Sequence, residues 1–298
     1  MKDEFILSCG STVDLPYSYL EQRQIPVIFY TYTVKGEEYV DDMGRNPDAL
    51  PQFYKFLAEG EIPTTSQINK FRYYDFFEEQ LQKGDLLHIA FGSGMSASVF
   101  NAMDAADELR EKYPDRKIMV IDSLCSSSGY GLLVDEAADM RDRGCSMEEV
   151  AQWVMENRKR VNHQFYSTEL EYYRRCGRMS GVAATAATIL SICPIMRLDD
   201  RGRIIAYDKV RGKKNAVRRT IKTMEEHAEN GVNYTGKCWI CHSNCLTEAE
   251  QMRQAVKEHF PKISGDIRIC DIGTIIASHC GPGTVAVFFF GQERYPDQ

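Results

Sequence analysis

The 298-residue chain has no uncharged run that stays apolar across the width of a membrane. Its longest uncharged stretch, Met179 to Met196, is broken by Thr185, Thr188, Ser191 and Pro194. It therefore predicts a small-residue core helix and not a span. Positive charge is also in deficit, with 36 Lys and Arg against 43 Asp and Glu, a formal net charge of -7. That excludes the broadly basic field of a general nucleic-acid or anionic-membrane binder. Met1-Lys2-Asp3-Glu4 carries two acids where a secretory signal has basic residues, and the expectation is a cytoplasmic protein. Ten cysteines are scattered without the regular spacing of a disulfide framework, which predicts reduced thiols. No Walker motif or G-x-G-x-x-G run follows a strand, so a nucleotide cradle is not expected. Internal repeats, low-complexity segments and Pro/Gly/Ser-rich linkers are absent as well.

What is present is globular: 27% charged, 43% hydrophobic and 11% aromatic residues. At about 150 residues per domain the length predicts two domains or one large one. Short apolar runs at Phe5–Ser8, Ile25–Val34, Leu86–Phe91 and Ile118–Ile121 read as strands, several uninterrupted as buried parallel strands are. Helical patterns lie between and after them: Pro47–Ala58, Asn69–Gln82, and a stretch after Ser96 carrying Val99, Met103 and Ala106. Ser146 and Glu149 have capping-box spacing before a further helix that runs to about Arg160. Strand, helix and strand in alternation imply a βαβ domain with a mostly parallel sheet.

After Arg160 the pattern changes. Phe165–Leu170, Ile195–Leu198 and Ile204–Val210 predict strands, with a hairpin turn at Asp199-Asp200-Arg201-Gly202. A basic helix over Lys213–Glu229, a strand over Cys238–Ser243, a helix capped by Thr247 and Glu250, and strands at Ile267–Ile272 and Val285–Phe290 complete the chain. The fold class is thus α/β with two closely packed domains. Residues 1–160 form the N-terminal α/β domain, and 161–298 form a C-terminal α/β domain with a mixed sheet.

Four polar clusters fall where this reading places loops after strands: Thr64-Thr65-Ser66-Gln67, Ser93-Gly94-Met95-Ser96, Ser126-Ser127-Ser128-Gly129 after Asp122-Ser123, and His279-Cys280-Gly281-Pro282-Gly283. Any one of them reads plainly as a helix cap. Together their neutral hydroxyl donors, beside helix N-termini, suit an anion such as a carboxylate or phosphate.

These residues carry a resemblance. Ser11-Thr12-Val13-Asp14-Leu15, Thr65-Ser66-Gln67, Ser93-Gly94-Met95-Ser96, Asp122-Ser123 with Ser128-Gly129, Gly177-Arg178, the run Lys209 to Ala216 and His279-x-Gly281-Pro282-Gly283 occur in the order and at the spacings of the DegV family. Each is weak alone, and the series spans nearly the whole chain. The chain departs from the family pattern at Gly10, Ile68, Ala97, Cys176 and Cys193. The resemblance implies two α/β domains with one long-chain fatty acid between them. It implies that Thr65 and Ser96 hydrogen-bond the carboxylate, with Arg178 and His279 in the surrounding polar network. It further implies a carrier, not itself a catalyst, that presents the acyl carboxylate to the ATP-binding subunit of a fatty acid kinase, with room for transient membrane contact. No cofactor is expected beyond the lipid ligand.

Other readings are weaker. Cys238-x-x-Cys241-His242 with Cys245 looks like a metal cluster, but a strand points residues three apart to opposite faces, so no metal site is expected. A Ser-dependent acyl hydrolase, using Ser93 or Ser96 with His279 as base, is the alternative enzyme reading. It lacks the full G-x-S-x-G elbow and an acid to orient the imidazole. Arg211, Arg218 and Arg219 lie in a local basic patch that reads either as a solvated helix face or as a dock for an acidic partner such as the kinase subunit. His88, His163, His227 and His259 have no motif context and read as ordinary surface or core residues.

Overall fold

The computed structural model describes residues 5–180 and 192–295. The first strands are β1 (Phe5–Gly10), β2 (Val27–Ile28), β3 (Thr31–Val34), β4 (Glu37–Val40), β5 (Thr64–Ser66), β6 (Asp85–Ala90) and β7 (Ile118–Asp122). Helices α1 (Tyr17–Gln22), α2 (Ala49–Ala58), α3 (Lys70–Leu81), α4 (Ser98–Lys112), α5 (Ser127–Asp142) and α6 (Met147–Asn157) accompany them. A four-stranded parallel sheet has the order β2-β1-β6-β7. Leu7, Leu86, Leu87 and Ile89 are fully buried in its centre, as the unbroken apolar runs require of a sheet covered on both faces. The box at the start of α6 closes in both directions, with Glu149 N–H donating to Ser146 Oγ at 3.3 Å and Ser146 N–H to Glu149 Oε2 at 2.8 Å.

The run Ile25–Val34, expected as one strand, is two. The Tyr30 N–H donates to Ser11 Oγ at 3.1 Å, which diverts the backbone after Ile28. From Thr31 the chain joins a separate antiparallel sheet of order β4-β3-β5.

The remaining strands are β8 (Val161–Ser167), β9 (Met179–Ser180), β10 (Ile192–Leu198), β11 (Ile204–Arg211), β12 (Cys238–His242), β13 (Arg268–Asp271) and β14 (Thr284–Phe290). They form one mixed sheet of order β13-β12-β14-β8-β10-β11-β9. Its helices are α7 (Leu170–Cys176), α8 (Lys213–His227), α9 (Leu246–His259) and α10 (Thr274–Cys280). Antiparallel pairing of β10 with β11 places the expected hairpin turn at Asp199–Gly202, where Asp199 Oδ1 accepts from the N–H groups of Arg201 and Arg203 at 2.9 and 2.8 Å.

Three expectations need correction here. The strand placed at Phe165–Leu170 starts at Val161 and stops at Ser167, and Leu170 opens α7. Asn162, His163 and Gln164 hide its first half from an apolar count, yet all three are buried. Thr247 does not cap α9: the helix begins at Leu246 after Cys245, which makes no side-chain capping bond. Of the helix expected over Met179–Met196, residues 181–191 lie outside the described residues, and the described flanks are strands β9 and β10. Among the described residues no helix is long and apolar enough to cross a membrane.

The large sheet buries both faces, and strand alternation sorts them. Tyr166, Val285, Val287 and Phe289 pack with α8 and α9 residues such as Met224, Met252 and Val256. Phe165, Ala286 and Phe288 face the other way, into the core shared with the N-terminal domain. Helix α5 is wedged at this junction. Gly129 allows the approach, since a Cβ there would stand 2.4 Å from His163 Nε2 and 2.6 Å from Phe288 Cδ1.

Candidate functional site

A cavity of about 120 Å3 opens between the two domains. A single buried water needs only about 10–15 Å3, so this space takes a larger guest. Its floor follows from strand periodicity: His163 and Phe165 on β8 and Thr284, Ala286 and Phe288 on β14 alternate onto one face. Ala286 stands opposite Phe165 and Phe288 opposite His163 in the ladder. The N-terminal domain supplies Tyr30 and Phe91, and Ile272 with Ile275 and Ile276 of α10 closes one side. The walls are mainly apolar and aromatic, the composition that binds a hydrocarbon.

One end of the cavity is polar and holds half-buried or exposed residues, which marks it as the opening. Thr65, Ser96, Arg178 and His279 all line the cavity, so the four expected residues converge although 214 positions separate the first from the last. Thr65 belongs to β5, paired opposite Tyr32 of β3. His279 belongs to the last turn of α10. Both differ from the loops expected for them. Thr65 Oγ1 and His279 Nε2 are hydrogen-bonded at 2.8 Å. Ser96 Oγ accepts the Ser98 N–H at 3.2 Å, which leaves its own proton free for a ligand oxygen. Arg178 is exposed, follows Gly177 at φ 64, and donates to Cys176 O at 2.5 Å.

Burial, with a smaller contribution from the nearby Arg178 cation, lowers the His279 pKa to about 4. The imidazole is therefore neutral at physiological pH, and Arg178 is the cation of the opening. A neutral hydroxyl pair, a neutral imidazole and one guanidinium can hold a carboxylate by charge-assisted hydrogen bonds.

Helix α10 is held at its other end by two buried acids of the N-terminal domain. Gly273 N–H donates to Asp14 Oδ1 at 3.0 Å, and Thr274 N–H and Oγ1 donate to Asp41 Oδ1 at 3.0 and 2.8 Å. Ser127 Oγ donates to the second oxygen of Asp14. Burial holds the Asp14 carboxyl well above its ordinary value against the Ser127 bond, and Asp41 raises it further. His279 is thus aimed from a helix fixed across the domain junction.

The other clusters divide. Ser126 and Ser127 line the cavity, whereas Ser128 Oγ donates to Asp14 O and Ser123 Oγ binds the backbone of Cys125. His163, expected as an ordinary histidine, lines the cavity, and its place opposite Phe288 was invisible without the register. His88 is a core residue bonded to Ser8 Oγ at 2.9 Å. Cys238 packs under α8 and α9 while Cys241 reaches the cavity, the opposite-face arrangement expected of β12. All ten cysteines are unpaired. Among the described residues no group of three metal-ligating side chains comes together. Gly10, a departure from the family motif, abuts Tyr30: a Cβ would stand 3.1 Å from its ring.

Arg211, Arg218 and Arg219 lie away from the cavity, at the end of β11 and on α8. Arg219 is ion-paired with Asp208 at 2.7 Å and packs over Tyr207. Arg211 and Arg218 are exposed and make no ion pair among the described residues.

Fold and site together define a two-domain α/β protein that encloses an apolar, polar-mouthed cavity at the domain junction. The chain belongs to the DegV family: that family's model, described as an uncharacterised protein of the DegV family, matches residues 9–292. A DegV domain-containing protein of Clostridium perfringens is 35% identical over 295 residues, covering 98% of this chain and 99% of the relative. Among solved structures, one described as fatty acid binding of a DegV family protein from Thermus thermophilus superimposes with a TM-score of 0.85 at 25% identity, over 97% of this chain and 100% of that one. A DegV lipid-binding protein from Thermotoga maritima gives a TM-score of 0.83 at 24% identity, covering 98% and 99% of the two chains.

Proposed function

We propose that this protein is a carrier of long-chain fatty acids, with the acyl tail in the cavity between residues 1–160 and residues 161–298. The carboxylate is held at the opening by Thr65 and Ser96, with His279 and Arg178 beside it. The observation that carries the reading is the apolar cavity ending at the Thr65–His279 pair. The fatty-acid binding described for the Thermus thermophilus relative supports it.

The energetics agree. Burying roughly a dozen methylenes at about 0.8 kcal/mol each gives on the order of 10 kcal/mol of gross driving force. Desolvating a carboxylate costs several kcal/mol unless it is hydrogen-bonded or paired, and the four polar residues offset part of that cost.

The carrier acts in the cytoplasm and delivers the carboxylate to the ATP-binding subunit of a fatty acid kinase. Its exposed opening suits the approach of a phosphoryl donor, and exposed Arg211 and Arg218 offer positive charge for docking. A hydrolase is disfavoured, because His279 Nε2 pairs with Thr65 and not with Ser93 or Ser96. Organic extraction of the purified protein followed by mass spectrometry tests the central claim. An intact long-chain fatty acid, stoichiometric with protein, is the expected result. A protein that neither retains nor rebinds one, or that turns over esters steadily, rejects it.

A further inference from the structure

The cavity has a second polar patch, where the start of α5 meets β8 and β12. Ser126, Ser127, His163 and Cys241 line it there. Three of these have their polar atoms engaged. Ser127 Oγ donates to Asp14 and lies 3.2 Å from Cys241 Sγ. His163 Nδ1 meets Val161 O at 3.0 Å, and its Nε2 accepts the Ser126 N–H at 3.2 Å. The Ser126 hydroxyl differs: it stands before α5 yet makes no capping bond, and no described residue partners it.

The patch can be placed along a bound acyl chain. Ser127 and Gly273 share the Asp14 carboxylate, so the patch sits at the first turn of α10, whereas His279 lies six residues further along that helix. At 1.5 Å per residue the separation along the helix is about 9 Å. An acyl chain with its carboxylate at Thr65 and His279 therefore passes Ser126 in mid-chain. The backbone there is held firmly: Ser127 keeps a left-handed φ of 54, a conformation that persists where surrounding bonds over-determine it.

The geometry points to a hydroxylated long-chain fatty acid as the preferred ligand, with its mid-chain hydroxyl bonded to Ser126 Oγ. This rests on the carrier reading and narrows its ligand class. A plain methylene chain covers the Ser126 hydroxyl and leaves it without a partner, whereas a mid-chain hydroxyl satisfies both groups. Binding sites discriminate most sharply where a buried polar group is left unpaired by the wrong ligand.

Delipidated full-length protein, wild type and Ser126→Ala, would be titrated with octadecanoic acid and with hydroxyoctadecanoic acids substituted at successive mid-chain carbons. One hydrogen bond predicts a preference of about fivefold for the best hydroxy acid over octadecanoic acid in the wild type. In Ser126→Ala the ratio falls to about one, with thermal melting confirming that the variant is folded. Equal or weaker binding of every hydroxy acid by the wild type overturns the inference, as does a preference that survives in the variant. Binding of octadecanoic acid without such a preference leaves the carrier reading standing alone, whereas failure to bind any of these acids removes both.

Discussion

Thr65 Oγ1 and His279 Nε2 stand 2.8 Å apart and join a strand of the N-terminal domain to a helix of the C-terminal one. The pair lines the polar opening of the cavity, where the ligand carboxylate is assigned. Thr65→Val keeps the β-branched shape that suits β5 but deletes the hydroxyl. Loss of one hydrogen bond to a charged group is worth about 1.5–3 kcal/mol, so fatty-acid affinity should fall by about tenfold or more. Thr65→Val combined with Ser96→Ala should weaken it further while the melting temperature stays near the wild-type value. Unchanged affinity by calorimetry in a folded double variant would refute the carboxylate assignment.

The depressed pKa of His279 gives binding a pH signature. In the free protein the imidazole titrates near 4, below its ordinary 6.5, so its contribution to stability is lost as the pH falls between those values. A carboxylate bound beside it favours the imidazolium and raises its pKa. Binding then takes up a proton, and affinity should rise as the pH falls toward about 4, by up to roughly tenfold for each unit of pKa regained. His279→Asn controls for protonation of the ligand itself. Titrations at fixed salt should show a steeper pH dependence for wild type than for the variant, and identical slopes would exclude His279 from the head-group site.

Most of this architecture was legible in the sequence, and the failures have physical causes. The uninterrupted strands β1, β6 and β7 stood out because a parallel sheet covered on both faces admits no polar alternation. The β8 strand was obscured because Asn162, His163 and Gln164 are buried polar residues whose hydrogen bonds become visible only in three dimensions. Helix α10 is a single short stretch with Gly at both ends, too brief for a helical period to emerge. Its role in aiming His279 depends on Asp14 and Asp41, more than 230 residues upstream. The hydroxyls could be named from motif spacing, but the apolar lining from Phe165, Ala286 and Phe288 needed the register of β8 against β14.

Gly129 sits inside α5, where an alanine would raise helix propensity by about 1 kcal/mol. The added methyl would meet His163 Nε2 at 2.4 Å and Phe288 Cδ1 at 2.6 Å, and neither neighbour is the free end of a flexible chain. Overpacking of this kind costs about 1–3 kcal/mol, so the clash outweighs the propensity. Gly129→Ala should lower the denaturation midpoint and weaken fatty-acid binding together, since His163 and Phe288 form the cavity floor. A variant more stable than wild type would contradict this account of the domain junction.

The proposed docking of a kinase subunit can be tested at Arg218 without disturbing the fold, because its side chain is exposed and makes no ion pair among the described residues. Arg219 is a poorer probe, being tied to Asp208 at 2.7 Å and stacked on Tyr207. Arg218→Glu should slow ATP-dependent phosphorylation by an added kinase subunit several-fold at low salt, with the difference shrinking as ionic strength rises. Equal rates for the variant and wild type at low salt would place the docking surface elsewhere.

The Asp14 carboxyl offers a test of how α10 is anchored. Burial raises its pKa well above 3.8, so the folded state holds a proton over a range where the unfolded chain has released it. Stability must then decline as the pH rises from about 4 toward the folded pKa. Asn at this position keeps an oxygen for the Gly273 N–H, presents an amide to the Ser127 hydroxyl, and tolerates the left-handed φ of 48. Asp14→Asn should therefore flatten the dependence of melting temperature on pH above about 4 without releasing α10, although Asp41, also raised by burial, leaves a residual slope. Parallel curves for wild type and variant across that range would mean that Asp14 gains no stability from its proton.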